Sequence, residues 1–224
     1  MNSNLIRYFK TFLYLVVFLG FGVTRAGSFD DFFTAVKRDD PDAIKTLLNR
    51  GFDANTPDPK GQTGLFLALR EPSPKVAELL IAWPKTVVES RNDKDESPLM
   101  IAAINGQLDL CRKLIARGGD VNKTGWTPLH YAATRSHLDV IRLLLDNYAY
   151  IDAESPNKTT PLMMAASYGS METVQLLLDE GADPTLKNLQ NLSAIDFAQR
   201  SGKADAAEAI AAAIRKQRAA KGKW

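Results

Sequence analysis

Few side chains in this sequence have the types and spacing that catalysis or metal binding requires. The histidines are His130 and His137, seven positions apart, and the single cysteine is Cys111. Zinc sites need three or four protein ligands at suitable spacing, which this set does not supply. The Gly-x-Ser-x-Gly, P-loop and dinucleotide-binding fingerprints are also missing from the sequence. We therefore expect no catalytic residue, no metal and no cofactor.

Three carboxylates lie together in one polar segment. Asp93, Asp95 and Glu96 surround Lys94, but they lack the ligand spacing of an EF-hand loop. A solvated loop is therefore favoured over a calcium site.

A repeated sequence motif indicates the secondary-structure elements on which the histidines, the cysteine and the carboxylates lie. It reads Ser/Thr-Pro-Leu, an apolar pair and Ala-Ala, and it begins at Ser97, Thr127 and Thr160. Weaker copies begin at Thr63 and Ser193, so the five anchors are 34, 30, 33 and 33 residues apart. A period near 33 residues indicates an array of stacked units.

Each unit predicts two helices and a connecting loop. Ser or Thr before Pro is typical of a helix N-cap with Pro at the first helical position. A second apolar run with i, i+3, i+4 spacing predicts a second amphipathic helix. Several of these runs end in Gly-x-Asp, at Gly51, Gly118 and Gly181, and glycine there supplies a left-handed C-cap. One unit cannot bury its own apolar face, so neighbouring units must stack.

The motif resembles that of the ankyrin repeat family, whose Thr-Pro-Leu-His-x-Ala sequence is best matched by Thr127 to Ala132. The resemblance covers roughly residues 29–214 and implies an all-α, ankyrin-type solenoid of about six helix-turn-helix repeats joined by hairpin loops. Within an array at 27–214, the predicted repeats span 29–61, 62–95, 96–125, 126–158, 159–191 and 192–214.

The repeat also predicts two buried side chains. His130 fills the family's own histidine slot, so its ring nitrogens should make hydrogen bonds between units. Cys111 shares a slot with Ile141 and Val174, so we expect a small buried hydrophobe there.

Three departures from the pattern carry structural expectations. Tyr148 replaces the C-cap glycine, and a bulky left-handed residue costs about 1–2 kcal/mol. Either Tyr148→Gly stabilises the fold or this helix ends differently. Pro84, after Trp83, predicts that the second helix of repeat 2 stops early. The 30-residue step predicts that about three residues are missing from the hairpin around 122–125.

Ankyrin arrays typically bind partners on a concave surface made of hairpin tips and first-helix edges. The resemblance therefore implies an unidentified protein partner. The formal net charge of +2 is too slight to predict nucleic-acid binding, and we expect the chain to be a monomer. Trp, Tyr and Arg dominate interface hot spots, and Trp126 adjoins the shortened hairpin. Simple packing of Trp126 against its neighbouring hairpin is the alternative. The candidate partner-binding residues are Trp126, Tyr168, Arg135, Arg70, Arg200, Lys94, Glu96, Ile104 and Asn105.

The first 26 residues have the composition of a signal peptide. Arg7 and Lys10 precede an apolar run from Phe12 to Val23, and Thr24-Arg25-Ala26 supplies a cleavage site. The alternative is an uncleaved anchor, because Arg25 lies within the cleavage region. If cleavage occurs, the membrane is met only transiently, during export.

The compartment is predicted from the sequons. Asn122, Asn157 and Asn191 each begin an Asn-x-Ser/Thr sequon in a hairpin, where a glycan would obstruct the proposed surface. This favours an exported bacterial protein of the periplasm over a secreted or membrane-anchored one.

The last ten residues, 215–224, carry five cations and no acid. They are interpreted as a basic C-terminal tail at the end of the final helix, favoured by the helix dipole, with attraction to an anionic membrane as the alternative. The sequence thus predicts a non-catalytic protein–protein interaction module. A membrane-tethered scaffold using the N-terminus or the tail is the alternative, and an enzyme with an unrecognised site is the least favoured.

Overall fold

The computed structural model describes residues 27–221, and the predicted signal peptide lies outside the described residues. The regular elements of the described chain are helices, and two isolated β-bridges join Pro57 to Thr63 and Lys187 to Ser193. The predicted all-α class is therefore confirmed. The chain divides into two compact units, of which the first ends at Leu80 and the second begins at Ile81.

The first unit packs around a phenylalanine cluster. The rings of Phe32 and Phe52 stack with centroids 4.5 Å apart, and Phe32 is fully buried. The Asp39 carboxylate accepts a 2.8 Å hydrogen bond from the backbone N–H of Val76. Its helices are α1 (27–37), α2 (Pro41–Asn49), α3 (Gly64–Arg70) and α4 (Pro74–Ala82), the last of which crosses the boundary.

The second unit consists of two rows of helices. The first helices of its repeats, α5, α7, α9 and α11, pack on one another in that order, and each contacts the second helix that follows it. The second helices α6, α8, α10 and α12 pack in the same order. Their bounds are α5 (Pro98–Ile104), α6 (Leu108–Ala116), α7 (Pro128–Arg135), α8 (Leu138–Asp146), α9 (Pro161–Tyr168), α10 (Met171–Asp179), α11 (Ala194–Arg200) and α12 (Ala204–Lys221).

Side chains at the N-termini explain where the first helices of this unit begin. Each follows a Ser or Thr N-cap, and Pro occupies the first position of α5, α7 and α9. The third helical side chain accepts a hydrogen bond from the N-cap backbone N–H, which would otherwise have no helical partner. The acceptors are Met100, His130, Met163 and Asp196.

A ladder of side chains links each repeat of the second unit to the next. A carboxylate or amide oxygen accepts a hydrogen bond from a backbone N–H one repeat later, just after the second helix ends. The pairs are Glu89 with Asp120 (2.8 Å), Asn122 with Tyr150 (2.7 Å) and Asp152 with Asp183 (3.0 Å).

Two of the predicted irregularities can be compared with the structure. The prediction that Pro84 makes α4 stop early is wrong, because α4 has nine residues, as do α6, α8 and α10. Pro84 disfavours helical backbone only at the preceding residue, and α4 already ends before Trp83. Tyr148 is left-handed with φ +63°, so the alternative ending for α8 is not used.

The final helix reaches into the basic segment. Helix α12 runs to Lys221, and the Arg215 guanidinium donates a 2.6 Å hydrogen bond to the Glu208 carboxylate. Within the described residues, every helix is too short or too polar to span a bilayer.

Candidate functional site

Hairpins connect successive repeats, and most of them close in the same way. The first residue of a five-residue turn donates its backbone N–H to the carbonyl oxygen of the fifth. The pairs are Asp58 with Gln62, Asn92 with Glu96, Ser155 with Thr159 and Asn188 with Leu192. The described backbone between Asn122 and Thr127 does not form this turn, in agreement with the shorter spacing there.

In this shorter segment, the side chain of a buried lysine makes hydrogen bonds in place of the backbone bond that closes the other turns. Lys123 is only 5% exposed, and its ammonium donates hydrogen bonds to the Asp95 carboxylate and, over 2.9 Å, to the Thr124 carbonyl oxygen. The Lys123 hydrogen bond holds the pKa of the Asp95 carboxyl below its usual range. We name the region formed by residues 122–126 and the flanking hairpins 92–96 and 155–159 the repeat-4 notch.

Trp126 lies in this notch and packs on His130. Its ring is half-buried and meets the imidazole edge-on, with centroids 5.2 Å apart and planes at 75°. Gly125 lies against the next hairpin, since a Cβ atom there would be 3.7 Å from Pro156. The segment that carries Trp126 therefore contacts both flanking hairpins, through Lys123 and Gly125, and the Trp126 ring itself packs on His130.

His130 joins the notch to the following repeat. It is fully buried, its Nδ1 accepts a 3.1 Å hydrogen bond from the Thr127 backbone N–H, and its Nε2 lies 2.8 Å from the Thr159 carbonyl oxygen. The Nε2 atom must therefore carry the proton and donate it. Burial lowers the pKa of His130 to about 4. The predicted structural role of His130 is confirmed.

The Glu96 carboxylate is held in place by hydrogen bonds from two neighbouring side chains. The Tyr131 hydroxyl donates a 2.9 Å hydrogen bond to Glu96 Oε1, and the Asn92 side-chain amide donates a 2.7 Å bond to Oε2. Burial, and then Glu96, raises the pKa of Tyr131. Glu96 is half-buried, so an incoming partner would meet a carboxylate that is already oriented, beside the exposed Lys94.

The other candidate residues of the second unit form a row at the C-terminal ends of the first helices. Because these helices pack in succession, equivalent positions are neighbours. A 2.9 Å hydrogen bond between the Ser167 and Ser201 hydroxyls joins the ends of α9 and α11, one position off the exact repeat register. The exposed members of the row, which we call the helix-end row, are Asn105, Arg135, Tyr168 and Arg200.

Two candidate residues contribute differently from this row. Ile104 is half-buried, and its carbonyl oxygen accepts a 2.9 Å hydrogen bond from His137 Nε2. Arg70 belongs to the first unit, where it is exposed and donates a 2.6 Å hydrogen bond to the Gln62 side chain.

The chemistry of the exposed groups is that of a contact surface. Among the described residues, no group of three or more His, Cys, Asp and Glu side chains is placed to hold a metal ion. Cys111 is fully buried, as predicted, and burial raises the pKa of its thiol to about 12. The notch and the helix-end row instead expose aromatic, guanidinium, amide and carboxylate groups, which suit recognition of another protein.

Sequence reasoning missed the burial of Lys123 and the hydrogen bond from Tyr131 to Glu96. The signal for the first is weak, because the slot five residues after the C-cap position holds Glu89, Lys123, Ala153 and Leu186 in successive repeats, of which two are apolar. No comparable signal marks Tyr131, whose slot holds apolar residues in the other repeats.

Comparison with known proteins identifies the repeat. A family profile described as ankyrin repeats (3 copies) matches residues 32–122 and 84–155, and a second, ankyrin repeats (many copies), matches 149–198. An ankyrin repeat-containing protein of Treponema pallidum is 34% identical over 123 residues, covering 54% of this chain and 41% of that protein. The B-cell lymphoma 3 protein homolog of Mus musculus is 29% identical over 158 residues, covering 67% of this chain and 35% of that protein.

A solved structure matches over most of the chain. It comes from the predatory endopeptidase Bd0816 of Bdellovibrio bacteriovorus in complex with immunity protein Bd3460. The matched chain has a TM-score of 0.70 and 26% identity, covering 81% of this chain and 96% of that one. The curated relatives are longer, since this chain spans between 5% and 41% of their lengths.

Proposed function

The chain belongs to the ankyrin repeat family, and we propose that it is a non-catalytic module that binds a partner protein through the repeat-4 notch and the helix-end row. Ankyrin repeats generally mediate protein–protein interaction, and proteins built from them are typically not enzymes. The observation that carries the proposal is the notch itself. It contains a half-buried Trp126, on the segment that contacts both flanking hairpins, and a Glu96 carboxylate oriented by Tyr131 and Asn92.

The notch and the row offer complementary kinds of contact. In the notch, Trp126 offers an aromatic surface that is already packed on one side, so little side-chain entropy is lost on binding. Along the row, Tyr168 is 65% exposed, Arg135 is its counterpart one repeat earlier, and Arg200 lies one position before its counterpart in the next repeat. Tyr and Arg side chains in this arrangement are suited to the rim and core of a protein interface.

The solved neighbour favours a more specific form of the proposal. The matched chain is an ankyrin-repeat protein from a complex of an endopeptidase with an immunity protein. We propose that the partner of the present chain is likewise an enzyme whose activity the chain restrains by covering its surface. Loss of that enzyme's activity on addition of the purified chain would support this form, and unchanged activity would limit the proposal to binding.

Capture of the partner with paired variants tests the binding surface. The chain is used as bait on envelope extracts of its native cell, with chemical cross-linking, and the captured protein is identified by mass spectrometry. Trp126→Ala/Tyr168→Ala should reduce its capture by at least about tenfold, because hot-spot truncations each cost ~1–2 kcal/mol or more.

The matched control is Trp83→Ala/Val87→Ala. It removes another half-buried tryptophan and another exposed apolar side chain, both outside the notch and the row. Capture by this control should equal that of the wild-type chain, and thermal unfolding should show both variants folded. Undiminished capture by the Trp126/Tyr168 variant would contradict the proposed surface.

We also propose that the protein is exported to a bacterial periplasm. The charged and apolar pattern of residues 1–26 and the three hairpin sequons support this, and residues 1–26 lie outside the described residues. Cell fractionation with mass spectrometry of the mature N-terminus is the test. An N-terminus near Gly27 in a periplasmic extract is expected, whereas an intact N-terminus in the membrane fraction would favour a tethered scaffold.

A further inference from the structure

Repeat 4 exposes two tyrosines after its second helix, at positions where the neighbouring repeats have glycine and aspartate. The second helices of repeats 3 and 5 are followed by Gly118-Gly119-Asp120 and Gly181-Ala182-Asp183. The same positions in repeat 4 read Tyr148-Ala149-Tyr150. Both the glycine and the aspartate have thus become tyrosine in this one repeat.

The backbone is unchanged by these replacements. The φ angles of Gly118, Tyr148 and Gly181 are +90°, +63° and +98°. Asn122 binds both sides of the repeat-4 turn, since its side chain donates a 2.8 Å hydrogen bond to the Tyr148 carbonyl oxygen and accepts one from the Tyr150 N–H. The turn therefore forms without any contribution from the two rings.

The rings instead face solvent at a cost to the fold. Tyr148 is 85% exposed and Tyr150 is 69% exposed. A non-glycine residue in the left-handed region is strained, and such strain tends to be kept where a side chain is needed for function. Exposed tyrosine is also the residue type that protein interfaces use most readily.

An open groove lies on the second-helix side of the repeats. It has a volume of about 460 Å³ and lies between α8 and α10, with Leu138, Met171 and Leu176 as its apolar lining. It extends to the end of α10 at Glu180, which precedes Gly181, the repeat-5 counterpart of Tyr148. Because equivalent positions of stacked repeats are neighbours, the register places Tyr148 toward that end of the groove, although its side chain is not part of the lining.

The rim of the groove is acidic. Glu172, Asp179 and Glu180 line it against a single cation, Arg142, whose guanidinium is 3.9 Å from the Glu180 carboxylate. This leaves a net charge of −2 on the lining, from three carboxylates and one guanidinium. An apolar floor beneath a negative rim is complementary to a segment that combines an apolar anchor with lysine or arginine.

We propose that Tyr148, Tyr150 and the α8/α10 groove form a second docking surface, which binds a cationic amphipathic segment of a partner protein. An apolar side chain of that segment enters the groove, its lysines or arginines meet the carboxylates, and the tyrosine rings contact the adjoining cation or stem. This surface is separate from the notch and the helix-end row, and it does not require them to be functional.

A synthetic peptide provides the probe. A 15-residue helical peptide with leucines on one face and lysines on the other is titrated into the full chain by calorimetry at low salt. Glu172→Gln/Asp179→Asn/Glu180→Gln should weaken binding by about tenfold or more. Tyr148→Gly should weaken it at least about threefold while leaving the chain folded. A peptide of equal charge with serine in place of leucine should bind about tenfold more weakly.

The matched control removes the same number of carboxylates elsewhere. Asp93→Asn/Asp109→Asn/Glu154→Gln changes three exposed acids outside the groove and should alter peptide affinity less than about twofold. Equal weakening by this control, or no binding of the leucine peptide to the wild-type chain, would overturn the proposal. Self-association of the wild-type chain that the groove variant abolishes would assign the groove to a second copy and overturn it as well.

Discussion

The hairpins before α7 and α9 are held together by different parts of the chain. Before α9, the backbone closes the turn, with Ser155 donating to the Thr159 carbonyl oxygen over 3.0 Å. Before α7, three residues fewer are available, and the side chain of Lys123 holds the segment through Asp95 and the Thr124 carbonyl oxygen. The hairpin before α9 is closed by hydrogen bonds within its own turn, including one from the Thr159 N–H to the Ser155 hydroxyl, whereas the hairpin before α7 is held by a lysine that reaches the preceding hairpin.

The difference shows how a repeat array acquires a distinctive site. The shortened hairpin carries a buried lysine and a half-buried Trp126, and it contacts the hairpins on both sides through Asp95 and Pro156. Regular hairpins also use side chains, since Asn92, Ser155 and Asn188 accept backbone N–H bonds, but these contacts stay within a single turn. In the repeat-4 notch, stability and the shape of the surface depend on the same few side chains, so the two are coupled.

Among the proposed variants, His130→Ala should lower the stability of the fold most. We expect the free energy of unfolding to fall by about 3–4 kcal/mol, because a cavity forms and buried partners at Thr127 and Thr159 lose their hydrogen bonds. Met163→Ala changes the same slot in α9 and should cost about 1 kcal/mol less, since Met163 bonds only within its own repeat. Urea denaturation measures both, and an equal loss would contradict the linking role of His130.

The second largest expected effect is the contribution of His130 to the pH dependence of the unfolding free energy. Burial holds the folded-state pKa of His130 at about 4, below the value of about 6.5 in an unfolded chain, so folding favours the neutral ring. The resulting stability is complete above about pH 6.5 and is lost as the pH falls through about 4, amounting to about 3 kcal/mol at most. His130→Met should lack this component. The unfolding free energy of the wild-type chain and of the His130→Met variant is measured against pH. If the two curves have the same shape, folding does not hold the His130 ring neutral.

Lys123→Ala should lower the free energy of unfolding by about 1–2 kcal/mol, because the packing of its stem and two hydrogen bonds are lost. The control is Lys158→Ala in the regular hairpin, where the exposed ammonium lies 3.2 Å from the Glu154 carboxylate. That change should stay within about 0.5 kcal/mol. Chemical denaturation measures the free energy of unfolding of both variants. Similar losses would contradict the proposal that the two hairpins are stabilised differently.

Tyr148→Gly should have the smallest effect and the opposite sign. Relief of the left-handed strain, partly offset by the greater entropy of the unfolded chain, should stabilise the fold by about 0.5–1 kcal/mol. Gly181→Ala in the following repeat should instead destabilise by about 1 kcal/mol, because its φ is +98°. A lowered denaturation midpoint for Tyr148→Gly would mean that the ring stabilises the fold.

Much of the fold could be predicted from spacing alone. The anchors at Ser97, Thr127 and Thr160 correctly predicted that helices begin at the following prolines, because capping is local chemistry. At Tyr148 the sequence left two endings open for α8, and the structure has the left-handed one. The proposed early stop at Pro84 was wrong, since α4 already ends before the residue that the proline restricts.

The candidate site was less predictable because it depends on contacts between repeats. Lys123 would ordinarily be expected at the surface, but its side chain is buried. Its partner Asp95 lies 28 residues earlier in the sequence, in the preceding repeat. The contact of Trp126 with His130 is local by contrast, because both residues belong to repeat 4.

Hydrogen–deuterium exchange of the chain in complex with its captured partner tests the central claim most directly. We predict new protection at residues 122–127 and at the C-terminal ends of α7 and α9, where the notch and the helix-end row lie. Residues of the regular hairpin at 188–192 serve as an internal reference and should change less. Protection confined to the second helices α8 and α10, with none at the notch, would contradict the claim.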